Sequence, residues 1–318
     1  MMSPAYDQQN GLYAPISAFS KGYLKRDGHA IYYEQSGNPK GTPIFFLHGG
    51  PGAGCAPVHR QIFDPHKCHA IFMDQRGAGK SEPYASIKDN TTQALISDID
   101  ALRQHLNLDK IVLFGGSWGS TLALCYGVAF PEHCLGFVLR GIFLGSTKEV
   151  DWFLYDMGRF FPEAYERFIS YLPEAERDDI LSAYYHRLTS PSHTVAMGAA
   201  QAWSSYENSC ATLAAANRNA GNGALSLALI EAHYFKSNCF LPQDYLRDNI
   251  QAISHLPAEI IQGRHDVICP PHSAHELASL WGSKASVYMI DNAGHSAFET
   301  GISVQLIRSV NIILDRIG

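Results

Sequence analysis

The chain has 318 residues, of which 46% are hydrophobic and 17% charged, and its formal net charge is −6. This composition is typical of a globular protein with a buried core, and the length exceeds that of a typical single core. The acidic balance and the lack of a dense Lys/Arg run argue against nucleic acid or an anionic membrane as the main partner, whereas a small cationic substrate stays compatible with both observations.

The cysteines and the N-terminal segment predict a cytoplasmic protein. The seven cysteines are scattered along the chain and form no CxxC pair, which favours free thiols in a reducing compartment. Residues 1–19 contain neither a basic segment nor an apolar one, so we expect no secretory signal. No apolar run approaches the ~20 residues that a membrane span needs. The sequence leaves the oligomeric state open.

Strand-like and helix-like runs alternate along the first 140 residues. Two strand-like runs, at residues 22–27 and 29–35, are joined by Asp27-Gly28, a dipeptide typical of hairpins. Continuous apolar runs, typical of buried parallel strands, follow at residues 43–47, 69–73, 111–114 and 135–139. Amphipathic spacing predicts a helix over residues 91–108, with Thr91 or Thr92 as its cap. This alternation predicts a mostly parallel central sheet with helices on both faces.

The pattern changes after Arg140. Residues 144–249 contain no convincing buried strand, and helix-like runs rich in alanine and aromatic residues replace them. Strand-like runs resume at residues 258–262 and 285–290, and an amphipathic helix over residues 304–317 ends the chain. We therefore predict a core domain of residues 1–143 and 250–318, with a helical cap domain of residues 144–249 inserted over the carboxyl edge of the sheet.

The sequence GGSWG at residues 115–119 lies between a predicted strand and a predicted helix. It fits G-x-S-x-G, the nucleophile elbow, in which a sharp turn exposes the serine Oγ above the sheet. Glycines flank Ser117 because a Cβ would clash in such a turn. A tight turn with a capping serine is the non-catalytic alternative.

A serine nucleophile needs a base and an acid that orients the base. In an open α/β sheet such groups gather just past the carboxyl ends of strands. Asp266 follows the strand-like run at 258–262, and His295 follows the run at 285–290. The order Ser117, Asp266, His295 is that of α/β-hydrolases. Asp291 competes with Asp266, but it lies only four residues from His295 on the same loop, from which Nδ1 is harder to reach.

Two backbone N–H groups should stabilise the oxyanion. One is that of Trp118, the residue after the nucleophile, and the other comes from the glycine-rich loop HGGPGAG at residues 48–54. Gly50 is preferred there, with Gly49 as the alternative. Pro51 has no N–H to donate. We expect His48, in the same loop, to be structural.

These motifs resemble those of the proline iminopeptidase family. The matching sequences are HGGPG (residues 48–52), DQRGAGKS (74–81), GGSWGS (115–120), GRHDVICP (263–270) and Gly294-His295. The resemblance runs from about residue 15 to the C-terminus. It implies the α/β-hydrolase fold with an inserted helical cap, and release of an N-terminal proline by a serine triad without metal or organic cofactor.

The resemblance also extends to the cap. AWSSYE (residues 202–207) and IEAHYF (230–235) are similar to two glutamate motifs of the family, which implies that Glu207 and Glu231 hold the free N-terminal amine of the substrate. A buried ammonium needs paired carboxylates, which agrees with this role. Most glutamates are solvated, and that is the alternative for both. Tyr206 stands where the family often has tryptophan, which puts the strictness for proline in doubt.

A proline pocket must hold a small apolar ring. Phe143, just after the strand-like run at 135–139, and Trp152, at the cap entrance, are its candidates, and ordinary core packing is the alternative for both. The sequence thus predicts a serine exopeptidase acting on short peptides with a free N-terminal proline. An esterase or amidase of the same fold, a broader aminopeptidase and a non-catalytic binding protein stay open.

Overall fold

The computed structural model describes residues 11–214, 221 and 223–318, and an eight-stranded sheet in the order β1-β2-β4-β3-β5-β6-β7-β8 runs through it. The strands are β1 (Ser20–Arg26), β2 (His29–Gly37), β3 (Thr42–Leu47), β4 (Cys68–Met73), β5 (Ile111–Ser117), β6 (Cys134–Ile142), β7 (Ala258–Gly263) and β8 (Ala285–Ile290). Strand β2 pairs antiparallel with both β1 and β4, and every other pair is parallel. The predicted mostly parallel sheet is therefore confirmed.

Ten α-helices lie among the described residues. They are α1 (Thr92–His105), α2 (Trp118–Ala129), α3 (Thr147–Asp151), α4 (Pro162–Ser170), α5 (Ile180–Leu188), α6 (His193–Cys210), α7 (Ala224–Lys236), α8 (Tyr245–Asn249), α9 (Pro271–Trp281) and α10 (Thr300–Ile317). Thr91 is the cap of α1, because its side chain accepts a hydrogen bond from the backbone N–H of Ala94. The last helix begins four residues earlier than its apolar spacing indicated.

Both faces of the sheet are buried, which explains the continuous apolar runs. Successive residues of a strand point to opposite faces, so Phe45 and Leu47 join one core cluster while Ile44 and Phe46 join the other. Helices α1, α2 and α9 contribute to the first cluster and α10 to the second. A buried strand between two helical layers cannot alternate polar and apolar residues, and that is the pattern the sequence shows.

Helices α3 to α8 all lie between β6 and β7, the range predicted as a cap. The described part of that range contains no strand. Its aromatic residues Phe153, Trp203 and Tyr234 belong to the same core cluster as strand residues such as Leu139. The division into a core domain and a cap domain stays a prediction, and residues 1–10, 215–220 and 222 of those two ranges lie outside the described residues.

Membrane insertion has no support from the helices that the structure describes. None of them combines the length and the apolar character that a membrane span requires.

Candidate active site

Ser117 occupies the sharp turn between β5 and α2. Its backbone has φ 57° and ψ −129°, a region that non-glycine residues rarely adopt and that stores strain at functional sites. The turn is tight because neighbouring backbones cross it. A Cβ on Gly115 would meet the carbonyl of Gly119, and a Cβ on Gly119 would meet the carbonyl of Leu47. The local sequence therefore imposes the elbow, and Ser117 lines a cavity of about 330 Å³.

Asp266 and His295 meet at the carboxyl ends of β7 and β8. The Nδ1–H of His295 donates to Oδ2 of Asp266 over 2.8 Å, and both residues are buried. The other carboxylate oxygen of Asp266 accepts the backbone N–H of Cys269. Asp291, the alternative to Asp266, lies on the surface and pairs with Arg264 at 3.3 Å. Asp266, and not Asp291, is therefore the carboxylate bonded to the imidazole in this structure, and it leaves Nε2 of His295 as an acceptor.

Nε2 of His295 accepts a hydrogen bond from Arg140 and not from Ser117. Nη1 of Arg140 lies 3.0 Å from Nε2 and also donates to the backbone carbonyl of His295 over 2.7 Å. The hydrogen-bond contact of the Ser117 hydroxyl is instead Sγ of Cys269, 4.0 Å away. Catalytic hydrogen bonds are often incomplete without substrate and form when it binds. The sequence analysis did not assign a role to Arg140, although a charged residue near the carboxyl end of an apolar strand was a usable signal.

The glycine-rich loop after β3 lies against the elbow. A Cβ on Gly49 would approach the Cβ of Ser117 to 3.3 Å, and Gly50, with φ 105°, lines the same cavity as Ser117. Trp118 is the first residue of α2, where N–H groups have no acceptor within the helix. The loop thus lies where an oxyanion on a substrate of Ser117 would form, with Gly50 and Trp118 as the candidate donors.

Gln75 fixes this loop to the elbow helix. Its backbone N–H donates to Nε2 of His48 over 3.0 Å, and its side-chain amide donates to the His48 carbonyl over 2.7 Å. The side-chain oxygen of Gln75 accepts the indole N–H of Trp118 over 2.9 Å. The remaining ring nitrogen of His48, Nδ1, lies 3.0 Å from the Gly49 carbonyl, so both ring nitrogens are engaged, which agrees with a structural role.

Two carboxyl groups from neighbouring cap helices meet near the cavity. Glu207 comes from α6 and lines the cavity beside Ser117, and Glu231 comes from α7 and is buried. The indole N–H of Trp203 donates to Oε2 of Glu231 over 2.6 Å. Oε2 of Glu207 is buried and has no hydrogen-bond partner among the described residues.

Burial changes the protonation of this pair. It raises the pKa of Glu207 from 4.5 to about 7. It raises the pKa of Glu231 as well, and the charge of Glu207 adds to that rise. An ammonium group between the two carboxylates would stabilise their charged forms and supply the donor that Glu207 lacks. The pair is therefore suited to bind a cation.

Four aromatic side chains form a cluster next to Glu231. Phe153 lies 5.7 Å from Phe235 and 5.6 Å from Trp203 between ring centroids, and Phe143 lies 6.2 Å from Phe235. Phe143 is thus part of an aromatic cluster, and its role in a proline pocket stays a prediction. Sequence reasoning did not select Phe153 or Phe235, although Phe235 lies four residues from Glu231 on the same helix and so shares its face.

Trp152 points away from the aromatic cluster next to Glu231. Its indole N–H donates to the carbonyl of Val267 over 2.6 Å, and its ring lies against Phe160. It lines a separate cavity of about 350 Å³, and neither it nor Phe143, Phe153 or Phe235 lines the cavity that contains Ser117. The physical reason is local: Trp152 and Phe153 are successive residues of a π-helical turn and point in different directions, so when Phe153 packs in the cluster Trp152 lies on a different side.

Tyr206, the departure from the resembled motif, packs against Phe168 with ring centroids 4.5 Å apart. Its hydroxyl donates to the carbonyl of Phe153 over 3.3 Å. The tyrosine is therefore linked to the aromatic cluster through the backbone of Phe153, and does not itself pair with either glutamate.

Known proteins resemble this chain in sequence along almost its full length. A family model described as alpha/beta hydrolase fold matches residues 42–302. A probable proline iminopeptidase of Leptolyngbya boryana is 46% identical over 304 residues, which are 93% of this chain and 94% of the relative. The proline iminopeptidase of Arabidopsis thaliana is 46% identical over 93% of this chain and 80% of its own length. That of Neisseria gonorrhoeae is 39% identical over 96% and 100%, respectively.

Solved structures share the fold at low sequence identity. A proline iminopeptidase-related protein from Thermus thermophilus has a TM-score of 0.56 at 20% identity and covers 94% of this chain and 98% of its own. An esterase from Exiguobacterium antarcticum has a TM-score of 0.57 at 20% identity, over 92% and 98%. These two structures show the fold alone. The sequence relatives establish that the chain belongs to the proline iminopeptidase family, and the family model places it in the α/β-hydrolase fold.

Proposed function

We propose that this chain is a serine aminopeptidase that releases an N-terminal proline residue from short peptides. The observation that carries the proposal is the carboxyl pair of Glu207 and Glu231, of which Glu207 lines the same cavity as Ser117. An exopeptidase must recognise a protonated amine about one residue away from the bond it cuts, and an unpaired cation in such a site would be very costly. The names of the sequence relatives support the same activity.

In the proposed reaction, the Oγ of Ser117 attacks the carbonyl carbon of the first residue while its proton passes to Nε2 of His295. Asp266 holds the imidazole through Nδ1 and stabilises its protonated form. The backbone N–H groups of Gly50 and Trp118 bind the oxyanion. Nε2 then returns the proton to the departing amine as the C–N bond breaks. A water molecule, deprotonated by His295, hydrolyses the prolyl ester and restores the Ser117 hydroxyl.

The pyrrolidine ring is proposed to lie among Phe143, Phe153 and Phe235. These rings belong to the cluster next to Glu231, whose carboxylate would hold the ring nitrogen, so one pocket recognises both the apolar and the charged part of proline. Phe153 takes the place that sequence reasoning gave to Trp152, because only Phe153 faces this cluster. The cytoplasmic location predicted from composition also stays a proposal, and the seven free cysteines support it.

Hydrolysis of two proline arylamides tests the amine requirement, one with a free amine and one N-acetylated. We expect kcat/KM to be at least 100-fold higher for the free amine, since the acetylated substrate leaves two carboxylates unpaired. Glu231→Gln should reduce that preference, whereas the exposed Glu166→Gln should leave it intact. Equal hydrolysis of both substrates would instead indicate an esterase or amidase. Failure of a fluorophosphonate to label Ser117 would indicate a binding protein.

A panel of arylamides with other N-terminal residues separates a strict enzyme from a broader aminopeptidase. We expect proline to be preferred over alanine by kcat/KM, because a smaller side chain leaves part of the aromatic pocket unfilled. Equal values for proline and alanine would favour the broader aminopeptidase.

A further inference from the structure

Arg140 places a guanidinium group at the base of the catalytic cavity. It belongs to β6, and its side chain lies on Gly116, where a Cβ would come within 2.5 Å of Nη2. Arg140, Ser117 and His295 line the same cavity. A residue larger than glycine before the nucleophile would thus displace the guanidinium, so the elbow is built to accommodate it.

This cation forms no salt bridge within the described parts of the chain, although the charge of Asp266 acts on it from a longer distance. No carboxylate lies within salt-bridge distance of it, and its Nε atom is buried without a hydrogen-bond partner. Its two hydrogen bonds, to Nε2 and to the backbone carbonyl of His295, are both made by Nη1. A guanidinium with a buried, unpaired nitrogen is costly unless an anion pairs with it, and its planar fork matches a carboxylate.

The hydrogen bond from Arg140 to Nε2 of His295 also conflicts with the proposed proton transfer from Ser117. Nε2 must accept the proton of Ser117, but in this structure Arg140 occupies it. Something must draw the guanidinium away before Ser117 can bond to Nε2. A substrate carboxylate near the departing nitrogen would do so, because it offers Arg140 a stronger, charged acceptor.

Peptide geometry limits which carboxylate can reach this position. In a dipeptide, the terminal carboxylate is two bonds from the nitrogen that His295 protonates, which is on the order of 2.5 Å to its carbon. Glu207 and Glu231 lie at the opposite, cationic end of the substrate. A zwitterionic dipeptide therefore matches the charges of the cavity at both ends, whereas a longer peptide or an amide places a neutral carbonyl beside Arg140.

We propose that Arg140 binds the free carboxylate of the second residue of a dipeptide, and that this carboxylate releases Nε2 of His295 for catalysis. The inference rests on the proposed function. It makes Arg140 a specificity residue for dipeptides with proline first, and it adds a carboxylate site to the amine site formed by the two glutamates.

The test compares kcat/KM for prolyl-glycine and prolyl-glycinamide, which differ only in the terminal carboxylate. We expect the wild-type protein to favour the dipeptide by about 10- to 100-fold, the range expected for a charged hydrogen-bonded pair. Arg140→Met should bring the ratio close to 1. Arg140→Lys should retain part of the preference, because it keeps the charge but loses the fork. Arg264→Met, at an exposed arginine on the loop of Asp266, is the matched control and should keep the wild-type ratio.

Two results would overturn the inference. One is a wild-type ratio near 1, which needs no variant and so does not depend on the folding of Arg140→Met. The other is an equal loss on both substrates in Arg140→Met, which would mean that Arg140 only positions His295. A proline arylamide, which has no carboxylate, is assayed in parallel. If the wild-type protein cleaves none of the three substrates, the proposed function itself fails, and that outcome is distinct from both.

Discussion

Glutamine in place of Glu207 removes a carboxyl group whose pKa is raised by burial from 4.5 to about 7. A raised pKa in the folded state means that the carboxyl group favours folding while it is protonated, below pH 4.5. This contribution is lost as the pH rises through about 7. At about 1.4 kcal/mol for each pKa unit, the complete loss corresponds to about 3 kcal/mol. Since the side chain is partly exposed to the cavity, about 3 kcal/mol is an upper bound.

Glutamine carries no charge at any pH, so Glu207→Gln should escape this loss. We expect its free energy of unfolding, relative to wild type, to rise by about 2 to 3 kcal/mol between pH 5 and pH 8. In a chain of this size that corresponds to a relative gain in Tm on the order of 5 °C. The same variant should lose most of its kcat/KM on a proline arylamide, because one carboxylate of the proposed amine site is gone.

Urea denaturation of both proteins at the two pH values measures the difference. Glu166→Gln, at an exposed position of α4, controls for the substitution itself and should differ from wild type by the same amount at pH 5 and pH 8. If the free energy of unfolding of Glu207→Gln relative to wild type is the same at pH 5 and pH 8, burial does not raise the pKa of Glu207. The electrostatic argument for an amine site would then fail.

Further substitutions test the other parts of the site. Ser117→Ala should lower kcat by at least 1,000-fold on proline arylamide while Tm stays within about 2 °C of wild type; near-normal turnover would exclude Ser117 as the nucleophile. Phe153→Ala should raise KM for that substrate several-fold, whereas Trp152→Ala should leave KM unchanged. Steady-state kinetics measures both values, and a raised KM in Trp152→Ala alone would place the pocket at Trp152. Gly119→Ala should yield little folded protein in circular dichroism and expression trials, because its Cβ meets the carbonyl of Leu47; a stable variant would contradict the tight elbow.

The order of the strands and helices could be predicted because each type of element has a characteristic pattern of apolar residues in the sequence. Buried parallel strands appear as continuous apolar runs, and the amphipathic spacing of α1 and its Thr91 cap are equally local. The elbow is local too, since a G-x-S-x-G sequence between a strand and a helix allows few backbone paths. Its neighbours in the chain therefore indicated Ser117 before any tertiary contact was known.

The partners of Ser117 could be proposed because a parallel sheet collects the carboxyl ends of its strands at one edge. Asp266 and His295 each follow a strand directly, and the structure brings them to 2.8 Å. The choice between Asp266 and Asp291 was harder from sequence, since both follow strands. The tertiary structure separates them: one is buried against the imidazole and the other pairs with Arg264 at the surface.

The sequence by itself determined the fold class, the elbow and the set of residues from which a serine hydrolase site can be built. Only the tertiary structure decided that Phe153 and not Trp152 joins the aromatic cluster next to Glu231, that burial raises the pKa of Glu207, and that Arg140 donates to Nε2 of His295. These depend on which side chain of a helix is buried and on the distance between groups far apart in the chain. Desolvation and charge act through space, so a sequence motif can name the residues but cannot fix their protonation or their contacts.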